Sequence, residues 1–72
     1  MNENFMREKG KKRVRAAELR VLAASQRQGG AAYRRQASKP AYPGQSEICL
    51  GKAAEIEAFA ARAEAKADLL EL

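Results

Sequence analysis

From Ser46 onward the apolar positions recur at helical spacing. At about 100° per residue, Ile48, Cys49, Ile56, Phe59, Ala60, Ala63, Ala67 and Leu70 gather into a stripe roughly 120° wide, a packing or docking face. Glu57, Glu64, Asp68 and Glu71 line one edge of that stripe, and Arg62 and Lys66 lie toward the other. Ser46 is the expected N-cap, and Glu47 then sits at the positive end of the helix dipole. The pattern predicts a helix near 46–71.

The N-terminal half is patterned more thinly. Helical spacing sets Met6, Gly10, Val14, Ala17, Val21 and Ala24 on one narrow line, which predicts a helix near 13–27 with that line inward. Two places punctuate the chain: Gln28-Gly29-Gly30, through backbone freedom, and Lys39 to Gly44, where Pro40 and Pro43 each fix φ and remove an amide donor. They define a connector at 28–45, in which Ala31 to Ser38 reads either as two helical turns or as loop. Residues 1–12 form a basic arm that orders only on binding, because so short a segment buries too little apolar area to offset its entropy. No alternating β-branched run marks a strand. The fold class is all-α: a small helical hairpin, residues 13–72, behind a flexible basic N-terminal arm. The alternative is a helical arm that docks only on its partner.

Composition thins the core further. The 72 residues include 16 alanines and no tryptophan, and Phe5, Phe59, Tyr33 and Tyr42 are the only aromatics. Such a chain buries little on its own, so a partner or a second copy, as in a homodimer, is expected to complete it. Staples are missing. One cysteine, Cys49, closes no internal disulfide, and without histidine the usual zinc sets are unavailable, so neither metal nor cofactor is expected. No stretch approaches a membrane span, and the N-terminus lacks a signal-peptide core, which together with a lone Cys predicts a cytoplasmic, soluble protein.

The same inventory argues against an enzyme. Cys49 has no histidine to act as its base, and it projects near Ile56, where it packs as a small hydrophobe. Glu57, Glu64 and Asp68 form a regular helical edge that needs no acid–base role to explain it. Gly-rich phosphate loops and nucleophile elbows are absent.

Charge supplies the functional lead. Residues 1–39 hold 11 Lys/Arg against 3 acids, and residues 40–72 hold 3 against 6, so the halves are +8 and −3. The densest run is Arg7-Glu8-Lys9-Gly10-Lys11-Lys12-Arg13-Val14-Arg15, followed by Arg20, Arg27, Arg34 and Arg35. Clustered bases gain affinity for phosphates by releasing counterions, and Arg-rich segments fold on RNA, so these ten bases are the candidate nucleic-acid or acidic-partner surface. Tyr33 and Tyr42, interleaved with Arg34, Arg35 and Lys39, are candidates for stacking on unpaired bases, but capping the open end of a two-helix core accounts for them better, since tyrosine shields apolar ends with its hydroxyl in water.

A basic N-terminal arm ahead of a separate protein-binding region resembles the small antitermination proteins of lambda-like bacteriophages. The likeness covers residues 7–20; this chain differs in mixing Lys with Arg and in its capped, Ala-rich C-terminal helix. It implies contact with nascent RNA and the transcription machinery, with Lys11, Lys12, Arg13 and Arg15 facing RNA. The residues therefore predict a non-enzymatic regulator that joins nucleic acid, RNA before DNA, to a larger protein such as a transcription complex. Two other readings stand beside it: a phage- or plasmid-type adaptor or inhibitor gripping an acidic groove on one host protein, and a self-associating helical structural protein.

Overall fold

The computed structural model describes the backbone of residues 2–72 and the side chains of residues 7–72. Two antiparallel helices, α1 (Asn2–Ser38) and α2 (Gln45–Leu70), form a hairpin rod with extents of 62 × 13 × 10 Å. No strand occurs among the described residues, so the all-α hairpin expected from the sequence is the fold.

The seam between the helices is built from small residues seven apart. On α1 these are Ala16, Ala23, Gly30 and Ala37; on α2 they are Ala53, Ala60 and Ala67. A seven-residue repeat keeps one line of a helix facing its partner, and small side chains on that line bring the two backbones close. Ala16, Ala23, Ala53, Ala60 and Ala67 are wholly buried; all but Ala53 cluster with Ala63 and with Leu19, at 6% exposure the largest side chain among them, and half-buried Leu70 packs against the cluster.

The sequence reading placed the seam differently. The line through Val14, Ala17 and Val21 points outward, with Val21 70% exposed. The seam runs through Ala16, Leu19 and Ala23 instead: the line through Gly10, Ala17, Ala24 and Ala31 is just as small, but only the observed line buries Leu19 and sets Arg20, Arg27 and Arg34 beside the acids of α2.

The second difference concerns the glycine pair. Gln28-Gly29-Gly30 does not interrupt α1, which runs unbroken for 37 residues, from the region expected to be an arm to the middle of the expected connector. Gly30 is buried in the seam, and a Cβ there would lie 3.1 Å from Cγ of Glu57 on α2. Close approach, not a turn, is the use made of this glycine. Met1 of the arm lies outside the described residues.

The true connector is Lys39 to Gly44. Gly44, at φ 87°, supplies the left-handed residue that opens α2, so Ser46 is not its N-cap. Ser46 lies in the first turn instead, and its hydroxyl donates to the Ala37 carbonyl at 2.6 Å, satisfying an acceptor at the C-terminal end of α1. Gln45 Oε1 accepts from the Ala41 amide, and the Ser38 hydroxyl donates to the Arg35 carbonyl at 2.7 Å.

Candidate functional site

Three arginines of the basic set are engaged within the molecule. Arg20, Arg27 and Arg34 stand seven residues apart on α1, and Glu57, Glu64 and Glu71 stand seven apart on α2. They meet as rungs: Arg34 Nε donates to Glu57 at 2.7 Å, Arg27 makes a two-pronged pair with Glu64, and Arg20 reaches Asp68 at 3.1 Å and Glu71 at 3.4 Å. Two-pronged guanidinium–carboxylate pairing gives geometric specificity as well as attraction. The Arg34 guanidinium holds the Glu57 carboxyl below its ordinary range, and Arg27 does the same to Glu64. In return, Arg20, Arg27 and Arg34 are held more firmly protonated than a free arginine.

The remaining bases divide by position. Every residue from Arg7 to Arg15 is exposed. Ala16 packs in the same cluster as Ala67 and Leu70, so α2 ends there and α1 before Lys12 projects past it as a single helix. Arg7, Lys11, Lys12 and Arg13 form no ion pair with the described residues, whereas Arg15 meets its neighbour Glu18 at 3.4 Å. At the step where α2 stops, Lys9, Lys12 and Arg13 line an open notch with Glu8, Leu70 and Glu71. Arg35 is exposed near the opposite end of the rod.

The expected stacking pair is split. Tyr33 is half-buried with the Lys52 ammonium 5.7 Å from its ring centre, whereas Tyr42 is exposed in the connector. Tyr33 thus covers part of the hairpin.

The expected packing face also divides. Cys49 and Ala63 are buried and Ile56 and Leu70 half-buried, but Ile48 and Phe59 are exposed, Phe59 at 43%. The Cys49 thiol lies 3.7 Å from the Gln36 side-chain carbonyl oxygen, to which it donates.

The two broad faces of the rod differ in charge. One carries the rungs: Arg13, Arg20, Arg27 and Arg34 stand there against Glu47, Glu57, Glu64, Asp68 and Glu71, so opposite charges nearly cancel. The heptad positions across the seam carry Lys11, Arg15, Lys52, Arg62 and Lys66 against Glu8, Glu18 and Glu55, so bases outnumber acids on this face. Leu22, Ile48 and Phe59 are exposed on it. The sequence offered a signal for this division, the matched seven-residue spacing of the arginines and glutamates.

Among the described residues no group of three or more His, Cys, Asp or Glu is placed to hold a metal ion, and no helix is long and apolar enough to cross a membrane. Comparison with protein-family models, curated proteins and solved structures gives no match.

Proposed function

We propose that the protein is a non-enzymatic binding protein whose projecting basic helix end grips RNA, with the transcription machinery as its setting, and whose hairpin body docks on protein. The observation that carries this reading is the division of the bases. Arg20, Arg27 and Arg34 spend their charge on α2, while Arg7 and Lys11 stand on the exposed end of α1 and Lys12 and Arg13 at the step where α2 stops. A single helix studded with bases presents charge on several sides, which suits a ligand whose phosphates lie on more than one wall. Contacts of this kind give affinity with little sequence information, so any specificity must come from bases that are read directly.

The test is a salt titration with single-stranded RNA. If the end meets about 4 phosphates, log K falls against log salt with a slope near about −3. Replacing Lys11, Lys12 and Arg13 with alanine is expected to remove most of that slope and leave the helical circular dichroism signal intact. A slope unchanged in that variant, or no measurable binding by the native chain, refutes the RNA reading. Salt-sensitive binding to an acidic protein alone would promote the adaptor reading in its place.

A further inference from the structure

We propose that the basic broad face, along the groove beside Leu22 and Phe59, is the docking site of an acidic amphipathic helix contributed by a partner protein. The inference rests on the protein-docking half of the function proposed above and is independent of its RNA half.

Two helices leave two grooves, one on each side of the seam. The rungs close the first, with carboxylates folded across it from Glu57, Glu64, Asp68 and Glu71. The second has no comparable bridge. Its only inter-helix links among the described residues are Lys52 over Tyr33 and the weak Cys49–Gln36 hydrogen bond, both toward the connector end. Between there and the open end stand Leu22, 38% exposed, and Phe59, with Gly29 leaving room beside them: nothing lies within 4 Å of where its Cβ would be.

An aromatic ring and a leucine half in water beside a seam made mostly of alanine are placed for a third helix. Its apolar residues would enter the groove as knobs and complete a three-helix bundle, the core that two helices lack. Charge selects the occupant. The groove is rimmed by Arg15, Lys52, Arg62 and Lys66, with Lys11 beyond; of the three acids on this face Glu8 lies past Lys11 toward the open end and Glu18 is held by Arg15. A second copy presenting the same face would bring like charges together, which costs affinity, whereas a helix flanked by Glu or Asp would be drawn to it. Nucleic acid would meet the bases but leave Leu22 and Ile48 without a use, since phosphates gain nothing from aliphatic surface.

The experiment follows backbone amide resonances of the whole chain while a synthetic helical peptide of about three heptads, Leu in its seam positions and Glu on its flanks, is added. A second peptide with the same seam and Lys flanks is added separately. The Glu peptide is expected to give saturable shifts centred on Leu22, Phe59 and Lys66, at least tenfold tighter than the Lys peptide. Phe59→Ala should weaken it at least tenfold, and Arg62→Glu with Lys66→Glu should reverse the preference between the peptides.

Equal binding of both peptides, saturation centred on the rung face, or no saturable shift with the Glu peptide overturns the proposal. Concentrating the protein alone, adding anionic phospholipid vesicles and adding RNA complete the experiment. If any of these moves the same resonances more tightly than the Glu peptide does, the face belongs to a second copy, a membrane or a nucleic acid, and the proposal is wrong. Loss of RNA binding at residues 7–13 with the peptide response intact refutes only the RNA half of the proposed function; the reverse result refutes only this docking site.

Discussion

The glycine pair in α1 allows the close seam to be measured. A glycine inside a helix is less favourable than alanine by about 0.8–1.0 kcal/mol. At Gly29 nothing lies within 4 Å of an added Cβ, so Gly29→Ala should realise that gain in full. For a domain of this size, 1 kcal/mol raises the melting temperature by about 4–8 °C. At Gly30 the same methyl would stand 3.1 Å from Glu57 Cγ and 3.4 Å from its Oε2, inside ordinary van der Waals separation. Glu57 must then give by a few tenths of an ångström, and it is not free to do so, because its carboxylate is fixed on Arg34. Gly30→Ala should therefore stabilise by less than half as much as Gly29→Ala, or not at all, and Gly30→Leu, whose side chain has no space between the helices, should destabilise. Thermal unfolding followed by helical circular dichroism measures all three. Equal gains at Gly29 and Gly30 would refute the close seam and the role given to Gly30 within it.

Two further outcomes follow from burial and from the rungs. Leu19→Ala removes the largest side chain of the seam and should cost about 2–5 kcal/mol, enough to unfold much of a rod this thin, whereas Phe59→Ala should barely move the melting curve because the ring is already 43% exposed. Equal destabilisation by the two would place Phe59 in the core. In acid, Glu57 and Glu64 titrate below their ordinary range when folded, so their contribution is complete above the unfolded carboxylate pKa and is lost as pH falls through the depressed folded value. The melting temperature should hold steady from pH 7 to about pH 5 and decline below about pH 4, and a curve that stays flat to pH 2 would show that the rungs add nothing.

Most of the architecture was legible from local chemistry. Pro40, Pro43 and Gly44 mark the turn between the two helices, and the C-terminal helix begins within one residue of its expected start. Gly29-Gly30 misled because glycine has two uses, bending a chain and letting two chains touch, and only the partner helix decides between them. The choice of seam failed for a related reason. Gly10, Ala17, Ala24 and Ala31 make a line as small as Ala16, Ala23, Gly30 and Ala37, so local patterning does not separate the two and only the match to α2 selects the second. Arg20, Arg27 and Arg34 look like the rest of the basic run until they are set beside Glu57, Glu64 and Glu71 in antiparallel order, a long-range match that local patterning cannot see. The exposed end at residues 7–15 was visible from its composition; what it binds is a property of the partner.

A seam made of methyl groups repeating every seven residues is nearly degenerate with itself. Displacing α2 by one heptad toward the basic end, about 10 Å, would again set alanine against alanine along much of its length. It would also rebuild three rungs, with Arg13 meeting Glu71, Arg20 meeting Glu64 and Arg27 meeting Glu57. The ion pairs therefore do not choose the alignment, and among the apolar contacts only the N-terminal end of the seam does, where the shift would put Lys12 in the place of Leu19 and Lys9 in that of Ala16. The rest of that choice falls to the short connector, where Ser46 is tied to Ala37, Gln45 to Ala41, and Gly44 turns the chain. The six residues from Lys39 to Gly44 act as the index mark of a vernier, and a chain lengthened there by one heptad would have two frames of nearly equal worth, one of which consumes Arg13.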